Sequence, residues 1–428
     1  MKSLKSILFI TVALQLIISS QSYAFFGLSE NESRQSVEPV AVIINSELYP
    51  RVKDSIDRYL DDLKNEGYEV LFSQWDYEVH QDVEELKNVL KDYHQNHQLQ
   101  GAVLIGKLPY LQNKPIAKGV GEGPIDTYLM DLNSSSADFN KGLINLDIWV
   151  SRIWAPEDGL LFPGMSDAEL TKAYFEKNHL YRTCQTPVPD LKIKFNADAE
   201  SANRLLQVGD YLNSWVNFYQ YLSESGYPQE YLKFVRENPA QYLYLKSHST
   251  PRAHSFTFSD NKVKITSKDI VQANIQQPFL LLNACSACKF SDSQSLGNAY
   301  LFDVKSKALA IAGLAIPSSM QDVALLHSNG DSFGNNVVPF INNHNSILIK
   351  LVGSVVGGFS FGFFVKNIYG LPLGAILGLG VVKFYRYFND EGLSKPHLRI
   401  GFTLLGDPTL KPYVDMDWCP KYDSKEDS

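Results

Sequence analysis

Short apolar runs alternate with helix-spaced apolar residues in the first part of the chain. Three runs of strand length stand at 40–44, 68–72 and 101–105. Between them, apolar residues repeat every three or four positions, as one face of a helix requires. These residues are Val52, Ile56, Leu60 and Leu63, with a stop at Gly67, and then Val83, Leu86, Leu90 and Tyr93. The βαβαβ alternation predicts a parallel sheet with helices on its faces.

The same alternation continues beyond the first unit. The predicted elements are a strand at 146–153, a helix at 167–181, a strand at 191–195, an aromatic helix at 205–222 and a strand at 307–316. A proline-rich break at 186–190 separates the second and third of these elements. We therefore predict an N-terminal α/β subdomain at 38–186 and a second α/β subdomain at 191–412.

The two ends of the chain have different compositions from the rest. Residues 1–24 combine lysines, an apolar run and the small-x-small pattern that ends at Ala24, which is typical of a cleavable signal peptide. Residues 25–37 are polar and indicate a linker, and residues 413–428 form an acidic tail. The expectation is a secreted or periplasmic protein cut after Ala24, in a compartment where disulfides persist.

A glycine-rich apolar segment at 347–383 allows two interpretations. Each of its two apolar runs is shorter than the roughly 20 residues that a bilayer span needs. The simpler interpretation is a buried loop and helix. The alternative is a surface that contacts a membrane or another protein.

Composition narrows the class of partner. The 428 residues are 44% hydrophobic and 20% charged, as in ordinary globular proteins, and the formal net charge is −8. Without a basic footprint, nucleic acid is not expected as a partner.

Two buried-strand patterns end in residues that can carry chemistry. The run at 242–247 leads to His248, and the run at 278–284 leads to Cys285. If these strands are parallel neighbours, both side chains emerge at one edge of the sheet, where open α/β sheets bind ligands. A predicted helix at 291–301 would place its N-terminus near Cys285 and favour the thiolate.

These strand ends resemble the caspase-like cysteine peptidases, most closely the gingipain-like branch. Further segments agree with the branch in their order along the chain: Ala41–Asn45, Asp126–Tyr128 with Asp147–Ile153, and Leu404-Leu405-Gly406-Asp407-Pro408-Thr409-Leu410. The match covers roughly residues 38–412. Serine replaces the family's glycine at two positions, Ser151 and Ser249.

The resemblance implies a fold, an activity and a set of residues. The fold would be a three-layer αβα arrangement with mostly parallel sheets in two α/β subdomains. The activity would be that of an exported endopeptidase acting on a protein or peptide substrate, with Cys285 as nucleophile and His248 as general base and acid. The backbone amides of Ser249 and Cys285 would form the oxyanion hole, and Asp147 would orient His248. No cofactor is expected, although some relatives bind calcium, for which no residues are assigned.

Other interpretations stay open on the residues alone. Cys285 and Cys288 form a C-x-x-C, which is also the pattern of a thiol-disulfide oxidoreductase. A metal site would need a second matching pair. His254 is a second candidate base in the loop after His248, and the chain could also be a catalytically inactive caspase-like binding protein.

Overall fold

A computed structural model describes nine ranges of the chain: 38–113, 121–140, 147–187, 193–197, 218–222, 228–237, 242–258, 261–317 and 401–410. The predictions for the signal peptide, the linker, the apolar segment 347–383 and the acidic tail fall outside these ranges. Within them, no helix is both long and apolar enough to cross a membrane.

The described residues form eight helices and fifteen strands. The helices are α1 (Tyr49–Asn65), α2 (Val83–His97), α3 (Thr127–Met130), α4 (Ser136–Asn140), α5 (Asp167–Arg182), α6 (Pro228–Glu237), α7 (Ser267–Val271) and α8 (Leu296–Phe302). The strands are β1 (Glu38–Asn45), β2 (Tyr68–Trp75), β3 (Gly101–Ile105), β4 (Leu111–Asn113), β5 (Gly123–Ile125), β6 (Trp149–Ile153), β7 (Ile193–Ala197), β8 (Phe218–Leu222), β9 (Tyr242–Lys246), β10 (His248–Thr250), β11 (Ala253–Phe258), β12 (Asn261–Thr266), β13 (Phe279–Asn283), β14 (Ala310–Leu314) and β15 (Phe402–Gly406).

Local sequence explains where the predicted helices begin and end. The apolar face predicted for α1 is buried, and the chain leaves the helix through Gly67, whose φ of 94° suits a residue without a Cβ. Ser166 caps α5 in a reciprocal capping box with Glu169. The βαβαβ prediction for the first part of the chain is confirmed, because β1, α1, β2, α2 and β3 follow in this order and the three strands are parallel.

Ten strands form one sheet in the order β2-β1-β3-β6-β15-β14-β13-β9-β7-β8. All neighbours are parallel except β14 and β15. We call β2, β1, β3, β6 and β15 the first half-sheet, and β14, β13, β9, β7 and β8 the second half-sheet. Because the two half-sheets run in opposite directions, their strands end at opposite edges. A mixed α/β fold with a mostly parallel sheet is thus shown.

The predicted subdomains share this sheet. Residues 38–186 supply β2, β1, β3 and β6, and residues 191–412 supply the other six strands. The strand β15 comes from the second predicted subdomain but runs parallel to β6. The division into two subdomains stays a prediction.

Two predicted helices differ from the structure. Residues 218–222 form the strand β8, although a helix was expected there, because their aromatic side chains suit a strand. The helix expected from residue 291 begins only at Leu296, after a series of turns. Its N-terminus is capped by Ser295 and does not follow Cys285 directly, so the direct strand-to-helix step that was expected at this thiol is absent.

Candidate functional site

The structure brings the predicted strand ends to one edge of the second half-sheet. The strands β9 and β13 are parallel neighbours, with Lys246 opposite Asn283, which meets the condition stated for a shared edge. His248 opens the short strand β10 and is exposed, whereas Cys285 is partly exposed and carries a reduced thiol.

Ser249 holds the turn that contains Cys285. Its Oγ donates a hydrogen bond to the carbonyl oxygen of Cys285. The next residue, Ser286, has a φ of 56°, and its amide donates to the carbonyl of Ile316 at 3.2 Å. This contact uses the side chain of Ser249, whereas the predicted role concerned its backbone amide.

Asp147 contacts a different part of the molecule from His248. Its Oδ2 accepts hydrogen bonds from the amide of Leu132 and from Nδ2 of Asn133, both at 3.0 Å. Its own amide donates to the carbonyl of Met130 at 2.8 Å. These contacts fix the turn that follows α3.

The second cysteine of the C-x-x-C is a core residue. Cys288 is fully buried, and burial raises the pKa of its thiol to about 12. Its Sγ lies 2.6 Å from where a Cβ on Gly313 would stand, so the thiol packs closely against β14. Cys285 and Cys288 are both reduced, and Cys184 is disulfide-bonded. A buried neutral thiol cannot act readily as the partner of an exchange reaction.

His254 is buried and neutral rather than a loop residue. Its Nδ1 lies 3.1 Å from the Ser247 hydroxyl, and its Nε2 lies 3.1 Å from the hydroxyl of Tyr300. Burial lowers the pKa of His254 to about 3. The Tyr300 hydroxyl in turn lies 2.6 Å from that of Tyr231. These contacts make His254 part of a buried polar network.

The acidic and arginine motif that suggested a family resemblance forms an internal ion pair. The Arg152 guanidinium donates to both carboxylate oxygens of Asp126, at 2.8 and 2.6 Å, and both side chains are fully buried. It also donates to the carbonyls of Leu108 and Pro109, at 3.0 and 3.1 Å, and lies over the ring of Phe290. Asp126 is therefore an internal anchor for the loop after β3.

The Leu-Gly-Asp-Pro motif is a second internal anchor. Asp407 accepts hydrogen bonds from Asn178 at 2.7 Å and from Arg182 at 2.5 Å, both on α5. Burial alone would raise the pKa of Asp407, but Arg182 and the hydrogen bonds hold it below its ordinary value. Gly406 has a φ of 84° and passes so close to the carbonyl of Leu309 that no Cβ fits.

A crevice opens at the opposite edge, where the strands of the first half-sheet end. In the order β2-β1-β3-β6, the chain leaves β1 toward β2 on one side and reaches β3 on the other. The carboxyl ends of β1 and β3 therefore flank a topological switch point, where open α/β sheets bind their ligands. A cavity of about 300 Å³ lies there.

Asn45 and Gly106 shape the floor of this crevice. Asn45 ends β1, and its Oδ1 accepts hydrogen bonds from the backbone amides of Glu47 and Leu48, both at 3.0 Å. Its Nδ2 donates a hydrogen bond to the carbonyl of Lys107 at 3.1 Å. Gly106 follows β3 with a φ of 80°, and a Cβ there would stand 3.0 Å from that of Asn45. The two strand ends are thus joined across the switch point.

Charged and aromatic side chains line the rest of the crevice. Arg51 donates to both oxygens of Asp167, at 2.6 and 2.7 Å. Burial alone would raise the pKa of Asp167, but these hydrogen bonds hold it below its ordinary value. The ammonium of Lys107 lies 4.6 Å from the centre of the Tyr77 ring. The remaining polar and aromatic lining residues include Glu47, Glu78, Glu157 and Trp154.

The sequence pattern predicts the strands that form this crevice but does not reveal the crevice itself. The available signal was a βαβαβ unit whose first strand ends in Asn45 and whose third strand is followed by Gly106. No group of three or more metal-ligating side chains occurs in the described part of the chain, and calcium binding stays untested.

Comparison with known proteins gives little similarity. No family model matches the chain, and no curated protein matches it. The matching solved structures include a solute-binding protein of an ABC transporter from Burkholderia multivorans, at 10% identity and a TM-score of 0.17, covering 65% of this chain and 87% of that one. They also include a substrate-binding protein of a sugar ABC transport system from Bordetella parapertussis, at 12% identity and a TM-score of 0.17, covering 65% of this chain and 75% of that one. A third is the leucine binding protein LivK of Thermotoga maritima, at 10% identity and a TM-score of 0.16, covering 78% of this chain and 83% of that one. At these TM-scores the matches carry no detail of site or ligand to this chain.

The predicted gingipain-like peptidase is wrong. The named structures that the chain matches are solute-binding proteins and not caspase-like enzymes. The motifs behind the resemblance have structural roles, since Asp126 pairs with Arg152 and Asp407 with Arg182. The hydrolase and protease assignment is withdrawn, together with the oxidoreductase alternative. The catalytic roles of Cys285, His248, Ser249 and Asp147 depended on that activity and stay untested.

Proposed function

We propose that this chain is an exported protein that binds a small polar solute in the crevice between the ends of β1 and β3. The signal-peptide pattern at residues 1–24 supports export, as does the disulfide at Cys184, because disulfides persist in oxidising compartments. The partner is a small molecule rather than a polypeptide.

The observation that carries the proposal is the coincidence of a polar cavity with the topological switch point. Open α/β sheets bind ligands where neighbouring strands lead in opposite directions, because the two connections leave a crevice between them. Here that crevice encloses about 300 Å³, the lower end of the range for ligand sites. At about 30 Å³ per water, this volume is roughly that of ten water molecules, which suits a small solute.

The charges of the crevice indicate the class of solute. Arg51 and Asp167 neutralise each other in a bidentate pair. Beyond that pair, three carboxylates (Glu47, Glu78 and Glu157) face a single ammonium, that of Lys107. Carboxylates only accept hydrogen bonds when ionised. The favoured solute therefore donates hydrogen bonds through hydroxyl or ammonium groups and presents an apolar face to the rings of Tyr77 and Trp154.

A binding screen with a matched pair of variants tests the proposal. The mature protein is screened by thermal unfolding against monosaccharides, polyols, amino acids and polyamines, and each stabilising compound is titrated by calorimetry. We expect Glu157→Gln to weaken binding by about tenfold or more, the loss of one hydrogen bond to a charged acceptor. The control is Glu69→Gln, an exposed carboxylate near the opposite end of β2.

Each outcome of this screen decides the proposal. Equal affinities of the wild type and the Glu69→Gln variant, with weaker binding by Glu157→Gln, would support it. A screen in which no compound of these classes binds the folded protein would overturn it. Binding that both variants retain unchanged would also place the solute outside the crevice.

A further inference from the structure

A second cavity lies on the far side of α5, away from the crevice. It encloses about 300 Å³ between the C-terminal half of α5 and the segments that lead into β13 and β14. Its apolar walls include Leu180, Tyr181, Pro187, Pro278, Val304 and Leu309. Val304 is one of the most exposed large apolar side chains in the described part of the chain, at 48% exposure, and lies at the cavity wall. The apolar surface is therefore open to a ligand.

One residue of the cavity lining is a lysine of α5. Lys177 Nζ donates to the carbonyl of Leu301 at 2.7 Å and to that of Asp303 at 3.3 Å. An ammonium has three donors, and these two carbonyls occupy two of them. Burial lowers the pKa of Lys177 to about 7, and the nearby Asp303 carboxyl offsets only part of this effect. An anion in the cavity would stabilise the ammonium form further.

The other charges around the cavity leave it net positive. Lys305 and Lys307 lie in its lining with Lys177. The one acidic lining residue, Glu176, is held by Arg58 at 2.5 Å. The Asp303 carboxyl lies outside the lining, and burial raises its pKa above its ordinary value. Within the lining, three amines with one paired carboxylate favour a negatively charged ligand.

From this arrangement, we propose that the cavity is a second binding site, which takes a small amphipathic carboxylate with its acid group on Lys177 and its hydrocarbon part on the apolar wall. The site is independent of the switch-point crevice, since the two share no lining residue. A carboxylate matches the single buried amine, and an unbranched or aromatic hydrocarbon part matches the apolar lining. The proposal concerns binding only and involves no covalent step.

Octanoate is a suitable probe. Calorimetric titration of the mature protein should give a dissociation constant on the order of 0.1–1 mM at pH 6.5, as expected for about seven buried carbons. Octan-1-ol, which lacks the charge, should bind at least tenfold more weakly. Binding stabilises the ammonium form, so octanoate affinity should fall as pH rises from 6.5 to 9.

Three variants locate the probe. Lys177→Met should weaken octanoate binding at least tenfold and remove most of its pH dependence, whereas Lys172→Met, an exposed lysine on the same helix, should change neither. Leu180→Trp fills the cavity without removing the amine and should also abolish binding. It provides the answer if Lys177→Met does not fold.

Two results would overturn the proposal. The first is a wild-type protein that does not bind octanoate at 10 mM, on the order of ten times the weakest dissociation constant expected. The second is unchanged octanoate affinity in folded Lys177→Met or Leu180→Trp protein. We expect the crevice variant Glu157→Gln to leave octanoate affinity unchanged, so the two sites are tested separately.

Discussion

Replacing Asp126 by alanine tests whether the buried ion pair with Arg152 holds the loop after β3. The guanidinium is fully buried and binds both carboxylate oxygens of Asp126 and the carbonyls of Leu108 and Pro109. Those two residues directly follow Lys107, which lines the crevice. Loss of the carboxylate leaves a buried cation without its counter-ion, hydrogen-bonded to these two carbonyls.

The magnitude follows from the burial of both partners. Breaking a fully buried ion pair on one side costs about 3–5 kcal/mol of the free energy of unfolding. The double variant Asp126→Leu with Arg152→Met removes both charges and loses only the hydrogen bonds to two carbonyls, at about 1–3 kcal/mol each. The loss of unfolding free energy in the double variant should therefore be at least about 2 kcal/mol smaller than the sum of the losses in Asp126→Leu and Arg152→Met alone.

Equilibrium urea unfolding, followed by circular dichroism, measures these free energies. The control is Glu176→Ala, which breaks the exposed pair with Arg58 and should cost less than about 1 kcal/mol. An Asp126→Ala variant that unfolds with a cost as small as that control would refute the reasoning. Additive costs in the double variant would show that the pair is not coupled.

Three further predictions concern the core and the thiols. Burial lowers the pKa of His254 to about 3, so its contribution to the free energy of unfolding is fully present above its unfolded pKa of about 6.5 and falls as pH drops toward 3, by about 2 kcal/mol at pH 5. Urea unfolding of His254→Gln should lack this fall in the free energy of unfolding between pH 7 and 5. An unchanged pH dependence would contradict a buried neutral ring. Gly406→Ala should cost more than about 3 kcal/mol in the same assay, because its Cβ would meet the carbonyl of Leu309. Gly159→Ala, with a φ of 64° and no atom within 4 Å of its Cβ, should cost only about 1–2 kcal/mol. Equal costs would show that the close approach of Gly406 to Leu309 is unimportant. Iodoacetamide at pH 8 should label Cys285 in the native protein and leave Cys288 unmodified, as read by mass spectrometry; equal labelling would contradict the burial of Cys288.

Much of the fold follows from patterns that local physics enforces. Helical spacing and a stopping glycine predict α1, since a buried apolar face and a positive φ each leave a clear trace. The strands β9 and β13 were also predicted, because both are apolar runs of strand length, whereas their pairing was only a condition of the site hypothesis. Residues 218–222 were not, since aromatic side chains serve either element until a neighbouring strand decides.

The site could not be predicted as readily, because the same residue types serve chemistry and structure. Asp126 and Asp407 stand in motifs that resemble a peptidase, and only the fold shows that each carboxylate is paired with a buried arginine. His254 likewise seemed a loop residue by its polar neighbours. The crevice depends on which strands become neighbours, and strand order is a long-range property that periodicity does not encode.

Hydrogen exchange with and without bound solute tests the central claim most directly. The solute would be the compound that stabilises the mature protein most in the thermal screen, and amide exchange would be read by mass spectrometry. The account predicts protection in segments 45–51, 77–78, 106–107 and 154–157, which line the crevice at the ends of β1, β2, β3 and β6. Protection centred on residues 246–250 and 283–288, at the opposite edge, would contradict it.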